Sequence, residues 1–270
     1  MSFSISGKSA IVTGAANGIG LAIARHFAAH GANVMFADMD EDSLVREVGE
    51  AAATEDSNIR YFAGDLRKKL TQANLLSATI DAFDRVDILV NASRQVLTTD
   101  PLSAKDSTLD VLLEQNLMAG YRLSQVIARR MIAQAKSQSE EPGPAGSIIN
   151  LSSVAAQRSR PDLLAYSVST AALDQMTRSM ALALAPHHIR VNAVAFGSVM
   201  SASLKATLKD DEGARDSITE TTPLGRIAGP GELAEAVQFL ASEGASFVTG
   251  QIMNVDGGRS LLDAVDSSAH

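Results

Sequence analysis

The chain has 270 residues, 46% of them apolar, enough to bury a large core in one or two domains. Its 31 acidic residues outweigh 23 basic ones for a formal charge of −8, and aromatics make up 4%, a balance that argues against nucleic-acid binding, which needs a basic stripe and stacking rings. The absence of cysteine removes disulfides, thiolate catalysis and cysteine-ligated metals together, and with no signal-like start and no apolar run near the roughly 18 residues of a spanning helix, a soluble cytoplasmic protein without membrane contact is expected.

In chain order, short apolar runs alternate with helical periodicity. "SAIVTG" (9–14) reads as a buried strand and "IGLAIARHFAAHG" (19–31) as a helix. "ANVMFAD" (32–38) is a strand, 41–52 a helix, "IRYFAGD" (59–65) a strand, 70–83 a helix and "VDILVN" (86–91) a strand. A long helix follows within 103–136, then "GSIINLSS" (146–153), a helix over 164–185, "IRVNAVA" (189–195), a helix over 231–242 and "QIMNVDGG" (251–258). Continuous apolar strands are buried on both faces, so the alternation predicts an α/β fold: one doubly wound parallel sheet of seven strands in a three-layer αβα arrangement. The polar "SQSEEPGPAG" (137–146) reads as an exposed loop; because the alternation resumes after it, the chain is one domain over 1–270 with a frayed tail at 264–270.

"TGAANGIG" sets Gly14, Gly18 and Gly20 between the first strand and the first helix, where a sharp turn, close approach of backbone to a diphosphate and tight helix–strand packing each call for a missing side chain. The opening amides of the helix then face the anion. Asp38 ends the second strand 18 residues after Gly20, placed to accept from a ribose 2′-hydroxyl and to repel a 2′-phosphate, and no Arg or Lys lies between Gly14 and Gly20. The expected cofactor is NAD on a Rossmann-type sheet; the bland reading of Asp38 is an acid capping the next helix. "GKS" (7–9) is a false Walker ending, since Ser2 stands where that loop needs glycine.

Taken together, "TGAANGIG", "GSIINLSS", "QNLMAG", "AYSVSTAALDQM", "IRVNAVAFG" and the stretch from "PLGRIAGPGELAEAV" to "NVDGG" resemble the short-chain dehydrogenases/reductases over nearly the whole chain. The resemblance implies hydride transfer between a nicotinamide and a small alcohol or ketone, in a homotetramer. It implies that Ser153 holds the substrate oxygen, Tyr166 is the acid or base and Asn116 holds a water of the proton relay. For the cofactor it implies contacts from the turn residues Gly14, Asn17, Gly18, Ile19 and Gly20, from Asp38, Asp65, Leu66 and Asn91, and from Tyr166, Val199 and Ser201. No metal is expected: the adjacent His187 and His188 do not share a ligand geometry, and one of them suits a left-handed helix end.

Three departures cluster at the reacting end. The family's Tyr-x-x-x-Lys is here Tyr166 and Thr170; its Asn-Asn-Ala-Gly is "NASR", ending in Arg94; and Phe196 replaces a proline before Gly197. A phenol has a reference pKa of about 10, and a cation one turn away would favour its ionised form. The next basic residue of that helix, Arg178, is 12 positions on, roughly 18 Å along the axis. Arg94, just after a strand's carboxyl end, either enters the crevice and restores part of the lost field or points to solvent or an acidic neighbour. Arg158 and Arg160, at the pocket mouth, either recognise a carboxylate or are solvated. The substrate loop near 198–215 has no readable chemistry. Two functions remain open: an NAD-dependent oxidoreductase with weakened or unusually tuned activity, or a dinucleotide-binding protein that has lost chemistry and serves as sensor or oligomer partner.

Overall fold

The computed structural model describes residues 3–54, 56–138, 143–201, 204–205, 208–209 and 213–263. Seven strands are present in one parallel sheet: β1 (Ser9–Thr13), β2 (Asn33–Asp38), β3 (Ile59–Ala63), β4 (Ile88–Asn91), β5 (Gly146–Ser153), β6 (Ile189–Phe196) and β7 (Ile252–Val255). Their spatial order is β3-β2-β1-β4-β5-β6-β7. The order reverses between β1 and β4, and the crevice that opens there at the carboxyl edge is where doubly wound sheets bind ligands.

The unbroken apolar strands follow from period-two side-chain direction with helices on both faces. Ala10 and Val12 of β1, Val34 and Phe36 of β2, and Ile88 and Val90 of β4 point into one buried layer. That layer lies beneath α1 (Gly18–Ala29), α2 (Glu41–Ala52) and α8 (Pro230–Ala241). Ile11, Met35, Leu89 and Ile148 enter the other layer, beneath α3 (Lys69–Phe83), α5 (Ala119–Gln138) and α6 (Leu164–Leu184). Fully buried Phe27 and Phe36 each stabilise the sandwich by roughly 1.5–3 kcal/mol.

Three features go beyond the sequence expectation, which set a long helix somewhere within 103–136. Residues 103–107 are not helical: Asp106 accepts from the amides of Asp100 (2.7 Å) and Thr108 (2.7 Å), a side-chain turn that keeps the chain out of the helix until α4 (Thr108–Leu113). Between α4 and α5 the long helix passes through a π-turn, Glu114–Met118, that carries Asn116. A short helix α7 (Ala214–Glu220) was not foreseen. His188 takes the left-handed conformation at φ 56°, and its carbonyl accepts from the Ala145 amide at 3.0 Å. Parts of the expected substrate loop and the tail 264–270 lie outside the described residues.

Candidate active site

The phosphate end is built by close approach. Gly14 has φ +67°, and a Cβ there would stand 2.8 Å from Ser93 Cα; a Cβ on Gly20 would overlap the Gly14 carbonyl oxygen. Gly18 also has positive φ, 56°. Asn17 caps α1 with extended backbone and no side-chain hydrogen bond, and the first turn, including Ile19, holds no acid. The opening amides are therefore not taken up by a side chain, which fits an anion at a helix start.

Asp38 does not cap α2; Asp40 does, accepting from the Ser43 amide at 3.0 Å. The Asp38 carboxylate instead accepts from the amides of Ala16 (3.1 Å), Met39 (2.7 Å) and Asp40 (3.1 Å), tying the end of β2 to the glycine turn. It still faces the cleft. Asp65 holds Arg67 in a two-pronged pair (2.8 and 3.0 Å), and this guanidinium keeps the Asp65 carboxyl below its usual range. Asp65, Leu66 and Arg67 line the same cleft, which runs past Asn91 and Asn116 to Thr170 and encloses about 730 Å³ up to its open mouth. A hollow of about 1380 Å³ on the same measure lies at the opposite sheet edge, by Lys8, Asp87 and Arg190. Arg190 there donates to the Leu240 carbonyl at 2.6 Å.

At the reacting end Arg94 is bracketed on both sides. Thr13 Oγ1, at the tip of β1, accepts from the amides of Ala92 (3.0 Å) and Ser93 (3.1 Å). Gln115 donates to Ser93 Oγ at 3.1 Å. Asn116 grips Gln95 twice, donating to its carbonyl (2.9 Å) and accepting from its amide (2.8 Å), and donates to Ser169 Oγ at 3.3 Å. The segment so fixed sends Arg94 across the ring of Phe196, guanidinium carbon 4.2 Å from the ring centre, to donate a hydrogen bond to the Tyr166 hydroxyl. Arg94 joins none of the ion pairs among the described residues. Of the two placements open in sequence, solvent or crevice, it takes the crevice.

Tyr166 is 4% exposed, packed with Leu112 and Ala165 against Leu97, Ala155 and Leu163. Ser153, at the end of β5, is the register partner of Phe196 on β6, which brings it to the face that Arg94 covers. Its hydroxyl accepts from the Ala155 amide at 3.2 Å. Thr170 donates back to the carbonyls of Tyr166 (3.0 Å) and Ser167 (3.1 Å), so its hydroxyl is spent within α6. Asn91 donates to Ser124 Oγ (3.0 Å) and Asn150 Oδ1 (2.8 Å), while its own Oδ1 is buried without a partner beside the cleft. Val199 is buried after Gly197, and Ser201 Oγ accepts from the Leu204 amide at 3.2 Å. Arg158 donates to the carbonyls of Ser260 and Leu262, and Arg160 forms a two-pronged pair with Asp162, so both guanidinium groups are already engaged. The sequence reading missed Thr13, Gln115 and Ser169; Thr13 was visible as the first residue of the glycine turn, the others only through folding.

A family model described as enoyl-(acyl carrier protein) reductase matches residues 14–260. The 3-oxoacyl-(acyl-carrier-protein) reductase FabG of Thermotoga maritima is 33% identical over 256 residues, covering 94% of this chain and 98% of that protein. The chain belongs to the short-chain dehydrogenase/reductase family. The galactitol 2-dehydrogenase (L-tagatose-forming) of Cereibacter sphaeroides is 36% identical over 262 residues, covering 95% of this chain and 96% of its own. Among solved structures, a 7α-hydroxysteroid dehydrogenase complexed with NADH and 7-oxo glycochenodeoxycholic acid superimposes with TM-score 0.85 at 30% identity, covering 95% of each chain. This short-chain dehydrogenase/reductase therefore has oxidoreductase relatives across nearly its whole length, and the family binds a nicotinamide dinucleotide on this fold. The glycine cradle and the Asn91 oxygen without a partner fit such a molecule.

Proposed function

We propose that the chain transfers a hydride between NAD(H) and the carbonyl or alcohol of a small substrate, with Tyr166 as acid and base, Ser153 holding the substrate oxygen and Arg94 as the cation that α6 does not place one turn after Tyr166. When bound, the nicotinamide dinucleotide supplies or takes up the hydride. The chain's own residues manage the oxygen and its proton. Ser153 donates to the substrate oxygen as negative charge develops there, and Tyr166 delivers or removes the proton. Arg94 donates to the phenol oxygen and stabilises the charge left on it. It does not itself release a proton, so it acts as a fixed field rather than as a relay. Phe196 holds the guanidinium by its ring face, and Asn116 acts through Gln95 to aim it.

The observation that carries this reading is the meeting of Arg94, Phe196 and Tyr166. Two of the three departures from the family pattern thus touch, and they touch at the phenol whose lysine the third removes. NAD rather than NADP is supported by Asp38 at the cleft, whose carboxylate has acceptor sites left for a ribose hydroxyl and repels a phosphate. Arg67 nearby is neutralised by Asp65. The alternative of a binding protein without chemistry is not favoured by relatives that are oxidoreductases.

The test is a panel of sugar alcohols, hydroxysteroids and 3-oxoacyl thioesters with NAD, NADH and their phosphorylated forms, run on the natural chain and on Arg94→Gly. Activity with a non-phosphorylated cofactor that falls sharply in the variant supports the proposal. Equal rates in both proteins overturn the role of Arg94, and no turnover by the natural chain with any cofactor overturns the enzymatic reading.

A further inference from the structure

Away from the cleft, α1 and α8 lie side by side, and their shared outer groove gathers side chains that suit a metal. His26 and His30 are one helical turn apart at the end of α1. Glu235 and Gln238 are three apart on α8 and therefore share a face. One ligand atom from each of His26, His30 and Glu235 lies within 4.8 Å of the others. His26 Nε2 is 3.9 Å from the Glu235 carboxylate and 2.6 Å from Gln238 Oε1. Tetrahedral ligands at about 2.1 Å from a zinc ion stand about 3.4 Å apart, so the groove needs only small side-chain shifts to close on one.

The ring orientations are set before any ion arrives. His30 Nδ1 hydrogen-bonds the His26 carbonyl oxygen at 2.7 Å, and since that oxygen only accepts, the nitrogen carries the proton and Nε2 keeps its lone pair. Gln238 donates through Nε2 to the Phe3 carbonyl at 2.9 Å, which turns its Oε1 toward His26. This matches the outer support that metal-binding imidazoles ordinarily have. Glu235 is 70% exposed at its side chain, which leaves a path for entry.

We propose that His26, His30 and Glu235 form a binding site for an imidazole-preferring divalent transition metal such as Zn²⁺, with Gln238 Oε1 completing the set. On binding, the proton of His26 moves from Nε2 to Nδ1 and the ion takes its place between Nε2 and Gln238 Oε1. Two imidazoles, one carboxylate and one amide oxygen suit zinc, nickel or copper rather than magnesium or calcium, which prefer all-oxygen sites. The ion would pin the end of α1 to α8. Because the glycine turn occupies the other end of α1, the site would stabilise the cofactor-binding half without touching the chemistry.

The experiment is calorimetric titration of Zn²⁺ into the untagged full chain at pH 7.5, beside His30→Ala and Glu235→Gln. Both substituted side chains are exposed, and neither belongs to the catalytic or cofactor machinery. The expected result is one Zn²⁺ per chain in the natural protein, with affinity reduced about tenfold or more in each variant and NADH affinity unchanged. Intense visible absorption with Co²⁺ in the natural chain, lost in His30→Ala, would report the same closed coordination. Zinc binding that survives unaltered in both variants places the ion elsewhere, and no binding by the natural chain removes the site; either result overturns the proposal.

Discussion

Replacing Arg94 with glycine restores the residue that the family pattern has at that position and removes the guanidinium from the Tyr166 hydroxyl. As the phenol gives up its proton, its oxygen becomes negative, and a hydrogen bond to a charged group contributes about 1.5–3 kcal/mol. The half-buried cation adds field beyond that bond, so the loss resembles removal of one oxyanion donor, about 2.7–4 kcal/mol. Taking about 2–4 kcal/mol at 1.36 kcal/mol per decade, kcat should fall roughly 30- to 1000-fold while KM for the dinucleotide changes little. The discriminating assay is a double-mutant cycle with Thr170→Lys. Alone, a lysine beside the retained Arg94 brings like charges together and should lower or leave the rate. Combined with Arg94→Gly, it should recover turnover to within about tenfold of the natural chain, a coupling well above the additivity error of about 0.5 kcal/mol. Additive effects in the cycle, with melting temperatures unchanged, would refute the idea that one cation has replaced another.

Further outcomes are expected elsewhere. Phe196→Ala removes the ring beneath the guanidinium and should slow turnover about three- to tenfold, less than Arg94→Gly, in the same kinetic assay. Gly20→Ala forces a Cβ against the Gly14 carbonyl; loss of NADH binding by calorimetry, with destabilisation of about 1–3 kcal/mol in urea, is the expected pair of results. Asp38→Ser should relax the choice between NADH and NADPH by about tenfold or more, read from the ratio of their dissociation constants, since one carboxylate of phosphate repulsion is gone. Asp174 is 4% exposed with Oδ1 unpartnered, and burial raises its carboxyl above the usual value of 3.8. The folded chain then binds more protons than the unfolded chain between 3.8 and that raised value, so this residue's contribution falls as pH rises through the window and stays unfavourable above it. Asp174→Asn should accordingly raise Tm at neutral pH by a few degrees and flatten the acid-side dependence measured by calorimetry.

The strands were legible because a sheet covered on both faces needs apolar residues at every position, and such runs survive without knowledge of their neighbours. α2 (Glu41–Ala52) lies where a helix near 41–52 was expected, with Glu41 and Asp42 in its first turn, although the capping acid is Asp40 rather than Asp38. The start of α4 at Thr108, inside the range 103–136 expected to hold the long helix, has a local cause: Asp106 competes with the helix for backbone amides, and side-chain turns of that kind do not alter apolar periodicity. The π-turn at Asn116 was equally invisible, since one extra residue in a helical turn leaves composition unchanged. The groove proposed to hold a metal was hidden because its two halves are more than 200 positions apart in sequence.

Residue order by itself determined the layered parallel sheet, the glycine turn at the first helix, the acid closing the second strand and the absence of a cation one helical turn after Tyr166. Each of these is a one-dimensional fact, set by periodicity or by local backbone demands. Only the folded chain decided where Arg94 goes. Thr13 at the end of β1 and Gln115 and Asn116 on the π-turn fix its flanking segment from two separate elements, and Phe196 supplies a surface for the guanidinium from β6, two strands away from β4. A side chain's direction depends on partners distant in sequence, so only the folded chain shows Arg94 meeting the hydroxyl of Tyr166.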